Sequence, residues 1–210
     1  MITKTVFQIC IGFNERKHYL LMDKIHRFIQ ENMFYEHVFV TNEDQMIAFI
    51  EEKWNQIYMD CYEKLETIKA KVELFKYLVL YEYGGIYLDI SKITRTKLDD
   101  FIEENDSAIL SVSKTPGMYC TDAMMFEAKH PILERALSLI VKYVNENTYN
   151  GDFEETVGQK LFSKAVRIGH FIEYNGNIDL SKVKKDGELR FTNPEMKYRI
   201  YGVEFNGVFI

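Results

Sequence analysis

The stretch Tyr83-Gly84-Gly85-Ile86-Tyr87-Leu88-Asp89 decides the fold of this chain. It turns a long apolar helix into a short buried strand and leaves a carboxylate where that strand runs out. Upstream, apolar residues at 68, 72, 75, 78 and 79 form a helical stripe between Thr67 and Tyr83, and apolar or aromatic residues at 74, 77, 80 and 81 bury the helix on most sides. Gly84 and Gly85 supply the positive-φ residues that end a helix and redirect the chain. Ile86-Tyr87-Leu88 is a β-branched and aromatic strand too short for an edge ribbon. In an open α/β sheet the ligand crevice lies beyond the carboxyl ends of the strands, so Asp89 is placed to face a ligand.

Outward from this point the chain alternates. A strand at about 4–11, a helix at about 17–31, a strand at about 37–41 and a helix at about 43–54 precede the long helix. Thr41-Asn42-Glu43-Asp44 is a capping pattern with acids in the first turn. The alternation predicts an α/β domain of the Rossmann-like type, with a mostly parallel, mixed central sheet of about six strands flanked by helices. After Asp89 the pattern mixes: strands near 108–112 and 123–126, a helix from Pro131 to Asn145 with proline in its first turn, a helix from Phe153 to Val166, and a hairpin or turned strand over 197–210.

A chain of 210 residues suits one large domain, divided here into a ligand-binding half (1–93) and a second half (94–210). Its net charge of -6, with Lys and Arg dispersed, lacks the basic footprint of a nucleic-acid binder. Cys10, Cys61 and Cys120 fit neither a disulfide framework nor a zinc site and read as reduced thiols. The apolar run from Val6 to Phe13 reads as a first core strand and not a signal peptide, and no segment approaches the ~20 apolar residues of a membrane span. A cytoplasmic protein without integral membrane contact is expected.

Glu73 and Lys76 on the long helix and Asp89 beyond the strand meet through the Gly-Gly turn. Two acids and a cation in one crevice suit a hydroxyl-rich, phosphate-bearing ligand. The competing reading is surface pairing, because Lys69 and Glu73 are spaced i,i+4.

Ala70-Lys71-Val72-Glu73-Leu74-Phe75-Lys76-Tyr77, followed by Leu80-Tyr81-Glu82-Tyr83-Gly84-Gly85-Ile86-Tyr87-Leu88-Asp89, resembles the signature of the DxD-motif sugar transferases. These include the yeast initiating mannosyltransferases, bacterial capsule transferases and large glucosylating toxins. Their pattern runs A-x-x-S-D-L-x-R-Y and then L-Y-x-x-G-G-x-Y-x-D-x-D. Thr5-Val6-Phe7-Gln8-Ile9-Cys10-Ile11-Gly12 resembles their first strand, I-H-Q-I-W-x-G. The resemblance covers about 66–93 specifically and 3–14 more weakly. It implies a GT-A fold, a UDP- or GDP-sugar donor and a divalent metal, commonly Mn²⁺ with Mg²⁺ as the alternative.

Carried over by position, Asp89 matches the first Asp of the DxD, a donor contact that helps hold the metal. Glu73 stands where the family has an Asp on the donor-sugar hydroxyls, and Lys76 where it has an Arg. Lys76 lacks the bidentate fork of arginine. Gln8, Ile9, Tyr77 and Gly85 complete the donor-side set by their places in the motifs. The chain departs from the family at Ser91, where the second Asp of the DxD belongs, and at Cys10, where the base-stacking Trp belongs. Losing one carboxylate from a divalent site removes an attraction of about 4 kcal/mol at ~4 Å and an effective dielectric near 20, and Ser91 offers a neutral oxygen. Three readings stay open: Asp89 ligates the ion with diphosphate and water, which is favoured; Glu204 or Asn206 contributes; or the metal is held weakly.

Tyr119-Cys120-Thr121-Asp122-Ala123-Met124-Met125-Phe126, with Lys129-His130-Pro131, resembles a later family segment in which a polar residue precedes a strand and a turn starts the next helix. Asp122 then either faces the reacting sugar or acceptor, or serves as a turn acid. Glu154-Glu155-Thr156-Val157-Gly158-Gln159 is either an acceptor-side loop or a helix start. His130 reads as structural and His170 stays ambiguous. Trp54 reads as core, while Tyr58 and Tyr62 could stack on a base or sugar.

The expected activity is metal-assisted hexosyl transfer from a nucleotide sugar, UDP-glucose being one candidate, to a glycan or protein-glycan acceptor, with retention at the anomeric carbon. Catalysis would use Asp89, Asp122 and Glu73, and the metal would sit at Asp89 and Ser91. A small virus-encoded or bacterial enzyme, or one domain of a longer glycan-building protein, fits this reading. The alternative is a nucleotide-sugar-binding or partner-binding module of the same fold with impaired catalysis. A dinucleotide or P-loop enzyme is disfavoured, since no G-x-G-x-x-G or G-x-x-x-x-G-K-[ST] loop is present.

Overall fold

The computed structural model describes residues 1–12, 19–90, 97–100, 102–113, 115–146, 152–173, 189–190 and 198–201. In chain order the elements are β1 (Thr5–Ile9), α1 (Tyr19–Glu31), β2 (Glu36–Val40), α2 (Glu43–Lys53), α3 (Gln56–Lys64), α4 (Ile68–Tyr83), β3 (Gly85–Leu88), a 3₁₀ turn (Leu98–Asp100), β4 (Ala108–Val112) and β5 (Tyr119–Phe126). Then come α5 (Pro131–Asn145), α6 (Phe153–Thr156), α7 (Gln159–Glu173), β6 (Leu189–Arg190) and β7 (Tyr198–Tyr201). Among the described residues no helix is long and apolar enough to cross a membrane.

Local chemistry sets the boundaries. The Asn42 side chain accepts from the Gln45 amide at 3.0 Å to start α2, and Thr67 accepts from the Ala70 amide at 3.2 Å to start α4. Gly84 closes α4 at φ 66°, with its amide donating to the Leu80 carbonyl. Gly85 follows at φ 100°, and a Cβ there would lie 2.7 Å from the Thr5 carbonyl oxygen. The glycine pair therefore both reverses the chain and lets β3 lie directly against β1.

The strands order as β2-β1-β3-β5-β4-β7-β6, with β3 in the interior. β2, β1 and β3 pair in parallel, as the alternation in the first half requires. Beyond β3 the character changes. β4 and β5 form a hairpin, and β5 returns antiparallel to β3, so the sheet is mixed, as expected; among the described residues it has seven strands where about six were expected, with three parallel and three antiparallel pairings. The physical reason is the short connection across Gly117 (φ 74°), which permits a hairpin but no parallel crossover.

Side chains alternate across the sheet. Phe7, Ile9, Tyr87, Leu110, Met124 and Phe126 face a core shared with Met46, Leu74, Leu78, Leu133, Ile140 and Phe162 from α2, α4, α5 and α7. Val6, Ile86, Leu88, Ile109, Ala123 and Met125 face the other side, where Phe28 of α1 and Leu98 pack. Helices thus cover both faces.

Three local expectations change. α3 follows its own cap, Asn55, whose side chain accepts from the Ile57 amide. The helix expected over 153–166 is broken at Val157-Gly158 into α6 and α7, a turn so close that a Cβ on Gly158 would meet Glu154 Cα at 2.8 Å. β5 begins four residues earlier than expected, placing Asp122 inside a strand and not in a turn before it. Of the expected tail hairpin, β7 is described; Gly202, Glu204, Asn206 and Gly207 lie outside the described residues.

Candidate functional site

β1 and β3 run parallel with Val6 opposite Ile86, and β5 runs antiparallel to β3 with Leu88 opposite Ala123. The carboxyl ends of β1 and β3 and the first half of β5 therefore meet at one edge. The Asp89 amide donates to the Asp122 carbonyl at 2.7 Å, continuing this register by one residue. Asp89 and Asp122 are thus cross-strand neighbours on the face that carries Tyr87 and Met124, with Cβ atoms about 5.5 Å apart by the geometry of such pairs.

The first turns of α4 lie over that face. Lys76 Nζ donates to Glu73 Oε1 at 2.5 Å and to the Thr121 carbonyl at 3.2 Å, and sits 4.6 Å from the centre of the Tyr87 ring. Both charged residues are buried, Glu73 at 6% and Lys76 at 2% exposure. The surface pairing with Lys69 does not form; Lys69 instead lies over the Phe153 ring at 4.2 Å. Burial pushes the Glu73 carboxyl upward, opposed by Lys76 and by the Thr121 hydroxyl, with Asp122 adding to the rise. Among the described residues nothing hydrogen-bonds to Glu73 Oε2.

Cys10 completes this edge. Burial first and the charge of Asp89 second push its thiol up to about 11, which keeps it protonated near neutral pH. The Tyr87 hydroxyl is held far above its usual range by burial, then by Asp89, Glu73 and Asp122. One locus therefore gathers Glu73, Lys76, Tyr87, Asp89, Thr121, Asp122 and Cys10.

The remaining expected residues distribute differently. Gln8 is 1% exposed, near the end of β1, and neither atom of its amide has a hydrogen-bond partner among the described residues. Ile9 packs into the helical core. Tyr77 is turned to the interior: its hydroxyl donates to the Val157 carbonyl at 2.9 Å and its ring stacks on Phe162, which ties α4 to the α6–α7 break. Gly85 stands at the amino end of β3, about 13 Å from Asp89 at the rise of an extended strand, where its missing Cβ serves the β1 contact. Ser91 and His170 give no side-chain detail, Ser91 lying outside the described residues.

His130 is structural, as expected. Its Nδ1 accepts from the Ile132 amide at 3.2 Å to cap α5, and burial lowers its pKa to about 3. Tyr62 is buried, its hydroxyl donating to Glu43 at 3.2 Å beside a groove of about 380 Å³ between α2, α3 and α4. Tyr58 packs edge-on against Trp54. Sequence reading missed Thr121 and Tyr87 as parts of the site; the strand alternation that places Tyr87 with Asp89 was the available signal.

Among the described residues no three His, Cys, Asp or Glu side chains form a metal-holding group. The hard carboxylate oxygens of Asp89 and Asp122 nevertheless suit Mg²⁺ or Mn²⁺ where a diphosphate and water supply the other ligands.

Residues 19–108, which hold Glu73, Lys76 and Asp89, match the family model described as a glycosyltransferase sugar-binding region containing the DXD motif. An uncharacterised glycosyltransferase of Acanthamoeba polyphaga mimivirus is 30% identical over 59 residues, covering 28% of this chain and 24% of the relative. Inositol phosphoceramide mannosyltransferase 1 of Schizosaccharomyces pombe is 23% identical over 101 residues, 48% of this chain and 31% of the relative. The matched stretches thus span under a third of either relative's length. The fold is similar to that of the solved PaToxG glycosyltransferase, with a TM-score of 0.60 over 83% of this chain and 71% of that one, at 16% identity.

Proposed function

We propose, from the match of residues 19–108 to the model of a glycosyltransferase sugar-binding region containing the DXD motif, that this protein transfers a hexose from a nucleoside-diphosphate sugar, such as UDP-glucose, to a glycan or protein-glycan acceptor. Transfer proceeds with retention, in the cytoplasm, within one domain whose residues 1–93 bind the donor and whose residues 94–210 form the acceptor side. The observation that carries this reading is the buried Glu73–Lys76 pair held beside Asp89 and Asp122 at the carboxyl end of β3.

Glu73 Oε2 and the Asp89 carboxylate accept hydrogen bonds from donor hydroxyls and fix the sugar in one orientation. Two of the three N–H donors of Lys76 are spent on Glu73 and Thr121; the third serves the charge that builds on the departing diphosphate. Asp122 adds a second carboxylate at the reacting end. Gln8 and Ile9 border the donor from β1. A divalent ion, Mn²⁺ or Mg²⁺, held by Asp89 and Ser91, would neutralise the diphosphate when bound.

Ser91 in place of an acid favours a second reading, a donor-binding module without turnover. A thermal-shift panel of nucleotides and nucleotide sugars, with and without Mn²⁺, tests the donor site, and donor hydrolysis separates the two readings. UDP and a UDP-hexose should raise Tm only with the metal. No response to any uridine or guanosine nucleotide overturns the donor assignment; binding without hydrolysis under any metal leaves the module.

A further inference from the structure

Ser91 removes a carboxylate two residues beyond Asp89 along the chain. Across the sheet, the strand next to β3 brings another: the Asp89 amide bonds the Asp122 carbonyl at 2.7 Å, and the β3–β5 register that pairs Leu88 with Ala123 puts Asp89 opposite Asp122. Directly opposed residues of an antiparallel pair share a face, so both carboxylates rise on the side of Tyr87. We propose that Asp122 is the second protein carboxylate of the divalent-metal site, standing in from β5 for the acid that Ser91 lacks on the β3 side. This rests on the nucleotide-sugar reading above.

Geometry supports the pairing. Two carboxylates on Cβ atoms about 5.5 Å apart can each reach one ion at the ~2.0–2.6 Å of Mg²⁺, Mn²⁺ or Ca²⁺ oxygen ligation. An independent sign of a ligand lies beside them: Glu73 is 6% exposed, its Oε1 is held by Lys76, and its Oε2 has no hydrogen-bond partner among the described residues. A buried carboxylate oxygen with no donor is costly, and a bound donor's hydroxyl beside the ion relieves it. Lys76, which donates to both Glu73 and the Thr121 carbonyl, holds Glu73 next to the strand that carries Asp122 and ties the two features to one pocket edge.

The test is Mn²⁺ affinity of the whole chain in the presence of UDP, read by electron paramagnetic resonance of free Mn²⁺ and by calorimetry. Asp122→Asn, which keeps shape and strand register, should weaken Mn²⁺ binding in the presence of UDP at least tenfold. Ser91→Asp placed in the Asp122→Asn protein should restore most of the loss, because it returns a carboxylate to the motif. Unchanged melting of the single variant without metal excludes misfolding. Mn²⁺ and UDP binding that is indifferent to Asp122→Asn, or a loss that Ser91→Asp does not rescue, overturns the role of Asp122 and leaves the donor reading intact. A wild-type chain that binds neither UDP nor Mn²⁺ overturns both.

Discussion

Lys76 and Glu73, one helical turn apart on α4, form a 2.5 Å ion pair with side chains only 2% and 8% exposed. Burying such a pair offers little net stability, but removing one partner strands the other charge away from water, at about 3–5 kcal/mol. Lys76→Met and Glu73→Gln should each lower the unfolding free energy by about that amount, and the double variant should lose clearly less than the sum of the singles. Urea titrations of the four proteins give the coupling; strictly additive losses would show that the pair does not act as a unit.

Asp89 lies one residue beyond the end of β3, at the edge of the sheet. Asp89→Asn should leave the melting temperature nearly unchanged while reducing donor hydrolysis by about 10²–10³-fold, the scale for losing one preorganised electrostatic contact. Hydrolysis of a UDP-hexose, measured by release of UDP, reads this directly. Undiminished turnover would remove Asp89 from the site.

The glycine pair should be intolerant of side chains. Gly84→Ala places a Cβ 2.6 Å from the Ala128 amide nitrogen, and Gly85→Ala 2.7 Å from the Thr5 carbonyl, both at positive φ. Gly12, at φ 73° with nothing within 4 Å among the described residues, carries mainly the conformational cost. Gly12→Ala should cost about 1 kcal/mol, and the other two should exceed it severalfold or abolish folding. Equal melting of the Gly12 and Gly85 variants would contradict the close β1–β3 approach.

His130 sets an acid limit. Burial holds its pKa at about 3, against an ordinary value of 6.5. Between those values the unfolded chain binds a proton that the folded one excludes, so this contribution is full above pH 6.5 and is lost as pH falls toward 3, by at most about 1.4 kcal/mol per pH unit. The raised Glu73 works in the opposite sense: its contribution is present at acid pH and lost as pH rises through its folded pKa. His130→Asn retains an N-cap side chain and should flatten the fall in Tm between pH 6.5 and 4.5. An unchanged pH profile would assign the acid loss elsewhere.

How much of this was legible in the residues varies by element. α4, the Gly-Gly turn and β3 were legible because the apolar stripe and the positive-φ signals coincide within a short span. The βα alternation of the first half was legible for the same local reason. α3 was not: its nine residues carry a mixed pattern, and only Asn55 announces it. The early start of β5 was hidden too, because Tyr119-Cys120-Thr121 becomes strand by pairing with β4 rather than by its own pattern. Tyr77 and Gly85 were assigned to the donor by motif, yet Tyr77 is committed to Val157 and Gly85 to the β1 contact, neither of which has a signal in the neighbouring residues.

By itself, then, the sequence determined the helix, the turn, the strand and the acid at its end, since each rests on interactions within a few residues. Only the tertiary structure decided that Asp122 stands opposite Asp89, that Glu73 pairs inward with Lys76 and not outward with Lys69, and that Cys10 joins the same edge. Those outcomes depend on strand order and on which helix face is buried. Such choices are made by contacts between segments tens of residues apart, where no local preference can anticipate the partner.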